Sequence, residues 1–92
     1  MKINTITELE SIFKESTNKG LLFIGVAIKM PNLEKPEIII HPYSNFNYKM
    51  EYYLKAYNEN LTLKNNPNIK IIDVFASDYI SDIVIALSHV VE

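Results

Sequence analysis

Two histidines, six tyrosines and eleven acidic side chains hold most of the chemistry open to this 92-residue chain. Asp78, Asp82 and His89 fall on one stripe of a helical pattern, and two carboxylates with an imidazole are a chemically possible metal set. Their spacing is loose, and a dedicated site also needs ligands and supporting groups from other elements, for which Asp73 on a neighbouring strand pattern is the obvious candidate. A solvated helix face whose N-terminal acids suit the helix dipole accounts for the same residues without a metal. No metal and no cofactor is expected. Asp73 itself interrupts the alternation of Ile69, Ile71 and Phe75, so on a buried face its carboxylate must find a partner or shift its pKa. An acid at a strand end that reaches solvent or a helix cap gives the same pattern.

His41 stands before Pro42 at a strand end, where an imidazole could sense pH or touch a ligand, or sit as a partly exposed structural residue. Tyr43, Ser44 and Asn45 then lead into a helical pattern whose first amides and positive dipole end could hold an anion, with Lys49 one turn on. On that helix Phe46, Met50, Tyr53, Leu54 and Tyr57 share one arc, while Tyr48 and Tyr52 fall almost opposite with Lys55 beside them. A core explains the first group and leaves the second without a purpose. Tyrosine offers large, rigid contact area at low entropic cost, so the outward pair suits a subunit or partner interface, or a stacked small ligand.

Several classes of function are disfavoured. The two glycines, Gly20 and Gly25, fit neither dinucleotide-fold nor P-loop spacing, and nucleophile-elbow, HExxH and EF-hand patterns are absent, so no catalytic residues are assigned. A net charge of −2 with nine lysines and no arginine lacks the basic footprint and the bidentate fork of nucleic-acid readers. Without cysteine there is neither a disulfide framework nor a thiolate site. The first residues lack the apolar stretch of a signal peptide and no apolar run approaches a membrane span, so a cytoplasmic protein is expected.

These residues must be positioned by elements that the sequence outlines locally. A hydrophobic fraction of 48% over 92 residues suits a single domain, 1–92. Thr5-Ile6-Thr7-Glu8 is a capping box that opens a helix over 5–18, stopped by Gly20. LLFIGVAIKM, residues 21–30, has the unbroken apolar character of a central strand buried on both faces, in which Gly25 implies a bulge or a close backbone approach. A turn through Pro31 and Pro36 leads to a second strand over 37–41, making a hairpin. Ser44 or Asn45 caps the second helix, to about 58. A short edge strand over 61–63, a turn at 65–68, a strand over 69–76 and a helix over 78–91 capped by Ser77 complete the chain. The class is α+β: a three- to four-stranded mixed sheet, including a parallel pair formed by a crossover through the second helix, packed by three helices. The last helix carries Ile80, Ile83, Val84, Leu87, Val90 and Val91, an arc wider than one sheet needs, and so implies a homo-oligomer.

Lys35-Pro36-Glu37-Ile38-Ile39-Ile40, then 45–58 with Tyr52-Tyr53-Leu54-Lys55-Ala56-Tyr57, then Asn68-Ile69-Lys70-Ile71 resemble short uncharacterised accessory proteins of phages and prophages of low-GC Gram-positive bacteria. The similarity covers about a third of the chain and carries no catalytic motif. It implies a non-enzymatic binding protein, an accessory or anti-defence factor that acts as a homo-oligomer by blocking a host protein or sequestering a small, nucleotide-like ligand. The expected surface comprises Tyr48, Tyr52, Lys49, Lys55, Tyr43, Ser44, Asn45 and His41. The competing classes are a small enzyme using Asp73, Asp78, His41 or His89, and a nucleic-acid-binding module.

Overall fold

The computed structural model describes residues 2–88. Helix α1 spans Ile6–Lys19. Its N-cap Thr5 accepts the Glu8 amide at 3.2 Å, and the Glu8 carboxylate reaches back to the Asn4 amide at 3.2 Å, one residue beyond a standard capping box. At the other end Gly20 turns left-handed at φ 69°, and the amides of Gly20 and Leu21 close the last carbonyls of Thr17 and Ser16.

Strands β1 (Phe23–Lys29), β2 (Glu37–Pro42), β3 (Thr62–Leu63) and β4 (Asn66–Ser77) form one sheet in the order β2-β1-β4-β3. Helix α2 (Phe46–Ala56) lies between β2 and β3 in the chain, and α3 (Ile80–Ser88) follows β4. The α+β class and the element order are those outlined by the sequence, as are the β1–β2 hairpin and the central place of β1. The mixed sheet is corrected: all three pairings are antiparallel. β2 and β4 do run in the same direction, as a crossover through α2 requires, but β1 stands between them, so no parallel ladder forms.

Both faces of the sheet are covered. Ile24, Val26, Ile28, Ile71 and Val74 join Leu9 and Phe13 of α1 and Phe46 and Tyr53 of α2 in the larger core. On the other face Ala27 and Ile72 meet Ile83 and Leu87 of α3. A Cβ on Gly25 would stand 2.2 Å from Ile83 Cγ2 and 3.0 Å from Leu87 Cδ1, so the glycine is where α3 presses against the strand backbone.

β4 is longer than its apolar stretch, because Asn66, Pro67 and Asn68 extend the strand instead of turning; the turn falls at 64–65. Its register against β1 slips at Ala27/Ile28, leaving Ile72 as an extra residue, and this bulge is what breaks the alternation at Asp73. α2 stops at Ala56 because Tyr57 is already extended and bridged to Leu63. α3 begins at Ile80, later than expected: Ser77 accepts the Tyr79 amide at 3.1 Å, while Asp78 stays outside the helix and accepts the Leu22 amide at 3.1 Å. His89, Val90 and Val91, which entered the metal stripe and the wide apolar arc, lie outside the described residues.

Gly25→Ala ordinarily costs little in a strand, but here it forces Ile83 off its site. We expect a loss of about 1–3 kcal/mol in urea denaturation, and a double variant with Ile83→Ala less destabilised than the sum of the two singles.

Candidate functional site

The segment from the end of β2 through α2 gathers the residues singled out by sequence, and sorts them into an inner and an outer set. His41 belongs to the inner one. It pairs with Ile24 on the central strand and is only 4% exposed, so the imidazole lies inside the core and not on the surface where a ligand contact was expected. Its Nε2 lies 2.8 Å from the Tyr53 hydroxyl, and its ring sits edge-on to Tyr53 at 5.6 Å and tilted to Phe13 at 6.4 Å. Burial above all, with the charge of Lys49 second, lowers the imidazole pKa to about 4. Burial likewise raises the phenols of Tyr53 and Tyr57, the latter to about 12. The inner set is therefore neutral at physiological pH.

The helical period that buries Phe46 and Tyr53 turns Tyr48 and Tyr52 outward, 70% and 46% exposed. Lys49 connects them: its Nζ stands 5.6 Å from the centroid of each ring, a distance at which an ammonium is attracted to the aromatic face. Tyr52 is braced from below by Tyr53 and Tyr57, at centroid distances of 5.3 and 6.5 Å. Lys55 is exposed and shares the Tyr48–Tyr52 side by its spacing along α2.

Before α2, Tyr43, Ser44 and Asn45 form an exposed 3₁₀ turn, with the Tyr43 ring resting on Phe46 at 5.3 Å. Neither Ser44 nor Asn45 caps α2 as expected: the turn runs into the helix without a side-chain cap. The Tyr43 amide bonds Leu22 O and the Phe46 amide bonds Tyr43 O, so part of the expected anion cradle is used within the fold. The structure thus brings Tyr48, Lys49, Tyr52 and Lys55 onto one surface, with Tyr43 to Asn45 at its N-terminal end and His41 beneath.

The acids are dispersed. Asp73 is buried and its Oδ1 accepts the Val74 amide at 2.8 Å, Asp78 is tied to Leu22, and Asp82 accepts the Ser77 hydroxyl at 3.1 Å. Among the described residues no three His, Asp or Glu side chains are grouped to hold a metal ion.

Sequence reasoning missed a groove of about 220 Å³ between α1 and β4, lined by apolar Ile12, Leu21, Val74 and Phe75 and rimmed by the Lys19–Glu15 ion pair at 2.8 Å. It lies along β4 past the bridge of Lys2 to Asp73, and the reach of those neighbouring segments is not set by the residues that line the groove. No protein-family model, no curated protein and no solved structure matches the chain.

Tyr53→Phe should leave the buried imidazole without its partner and cost about 1–3 kcal/mol in chemical denaturation. The pH dependence has a definite sign. His41 stays neutral in the fold down to about pH 4 but takes a proton near its ordinary 6.5 when unfolded. The unfolded chain therefore binds the extra proton in that window, and stability falls as pH drops through it, by at most about 3 kcal/mol. Denaturation of the wild type and of His41→Gln from pH 7 to 4 checks this, since the variant should lack that part of the decline.

Proposed function

We propose that this chain is a non-enzymatic binding protein that holds a partner protein against the outer face of α2. The observation that carries the reading is the Lys49 ammonium set over both exposed rings, Tyr48 and Tyr52. A large aromatic surface is kept in water, yet both rings lie beside the Lys49 ammonium, and Tyr52 also rests on Tyr53 and Tyr57 beneath it. Such a surface loses little side-chain freedom when a partner covers it, the condition under which aromatic anchors dominate binding energy.

The geometry favours a protein over a small ligand. Small-molecule sites enclose most of their ligand, whereas Tyr48, 70% exposed on a convex helix, can stack against one side of it only. Nucleic acid is disfavoured by a net charge of −2 and the absence of arginine. The fitting partner presents an apolar depression for the two rings, bordered by carboxylates that meet Lys49 and Lys55. Of the two modes implied by the resemblance to phage accessory proteins, blocking a host protein suits this surface better than sequestering a nucleotide. An enzymatic reading has less support, because His41, Asp73, Asp78 and Asp82 are each engaged within the fold.

Tyr48→Ala and Tyr52→Ala should change stability by no more than roughly 0.5 kcal/mol each, while each weakens partner binding by about 1 kcal/mol or more. The test is thermal unfolding of the double variant alongside affinity capture from host extract with wild type and variant. A stoichiometric partner lost by the variant at an unchanged melting temperature supports the reading. Equal capture by both would sink it.

A further inference from the structure

We infer that the outer edge of β2 and the adjoining flank of α3 form a twofold interface with a second copy of this chain. The Tyr43 amide donates to Leu22 O at 2.8 Å, which sets the alternation of the β1–β2 ladder. Ile24 with His41, Val26 with Ile39 and Ile28 with Glu37 exchange the bonds across it, so the N–H and C=O groups of Ile38 and Ile40 point to the other side. Among the described residues no strand covers that side. Pro36 and Pro42 take the flanking outward positions, where a missing N–H costs the ladder nothing, and they confine an incoming strand to the stretch between them.

The strand that fits this short edge is the edge itself. Laid antiparallel about a twofold axis at Ile39, Ile38 of one copy faces Ile40 of the other, and the two exchange both backbone bonds. Their side chains share a face and extend one apolar layer across the join.

The same axis, normal to the sheet, keeps both α3 helices on one side. Ile38 and Ile40 already pack against the cluster of Ile83 and Leu87, so α3 borders the β2 edge. Ile80 and Val84 lie on one flank of α3 beside the buried Ile83 and Leu87, across the helix from Asp82, and this is the flank assigned to the join. These two residues are 46% and 43% exposed. Charge points to the same occupant. Apart from Asp82, the exposed positions of α3 are Ile80, Ser81, Val84, Ile85 and Ser88, whereas the exposed faces of α1 and α2 carry Glu15 and Lys14, and Glu51 and Lys55. A chain of net charge −2 therefore meets its copy here without like-charge repulsion.

This assignment is independent of the tyrosine surface, which lies on the other face of the sheet. Sedimentation equilibrium of the full chain at tens of micromolar, with amide hydrogen exchange, tests it. The wild type should show twice the mass of one chain, with the Ile38 and Ile40 amides protected. Val84→Lys should raise the dissociation constant at least tenfold and release those two amides while the β1–β2 amides stay protected. Ile40→Pro, which removes an outward N–H only, should also weaken the dimer, and Tyr48→Ala should leave it intact. Should Ile40→Pro not fold, Val84→Lys decides. A monomeric wild type, a dimer whose Ile38 and Ile40 amides exchange freely, or a dimer indifferent to Val84→Lys would each overturn the assignment.

Discussion

The structure depends on β1 being buried from both sides by layers at different depths. Toward α1 and α2 it presents Ile24, Val26 and Ile28, side chains large enough to fill the space beneath two helices. Toward α3 it presents Gly25 and Ala27, so small that one helix can lie almost on the strand backbone. A single helix then closes that face at the middle of the sheet. Beside it Ile38, Ile40 and Phe75 are left half-buried.

The polar interior is small and closed. Ser16, His41 and Asp73 are the buried polar residues, and among the described residues no buried side-chain nitrogen or oxygen lacks a hydrogen-bond partner. An active site usually keeps such groups strained, unpaired or open to a cleft. Here the Tyr53 hydroxyl and the imidazole satisfy each other among aromatic rings, and the Asp73 carboxylate accepts the amide next to its own bulge.

What could be read from sequence follows the range of the forces involved. Caps and helical arcs are local, so Thr5, Gly20 and the outward turn of Tyr48 and Tyr52 were legible. The close approach at Gly25 was legible as one of two meanings of a strand glycine. Strand partnership was not, because β1 can lie between β2 and β4 only through pairings distant in sequence, and the parallel pair expected from the crossover gave way to them. The burial of His41 was hidden for a related reason: its imidazole is covered by Phe13 and Tyr53, from two different helices. That Lys49 sits over both tyrosines depends on its rotamer, which spacing alone does not set.

The β1–β4 ladder also orders the events of assembly. β1 and β2 are neighbours in the chain and close as a hairpin within microseconds, but β1 meets β4 only when segments about fifty residues apart find each other, a slow step because the loop entropy is lost before the contacts form. Until then the hairpin exposes Ile24, Val26 and Ile28 on one side and a second open edge on β1. α1, with Leu9 and Phe13, and α2, with Phe46 and Tyr53, both precede β4 in the chain and can shield that side. During synthesis, the segment up to α2 would therefore wait as two helices folded over a two-stranded ribbon until β4 emerges.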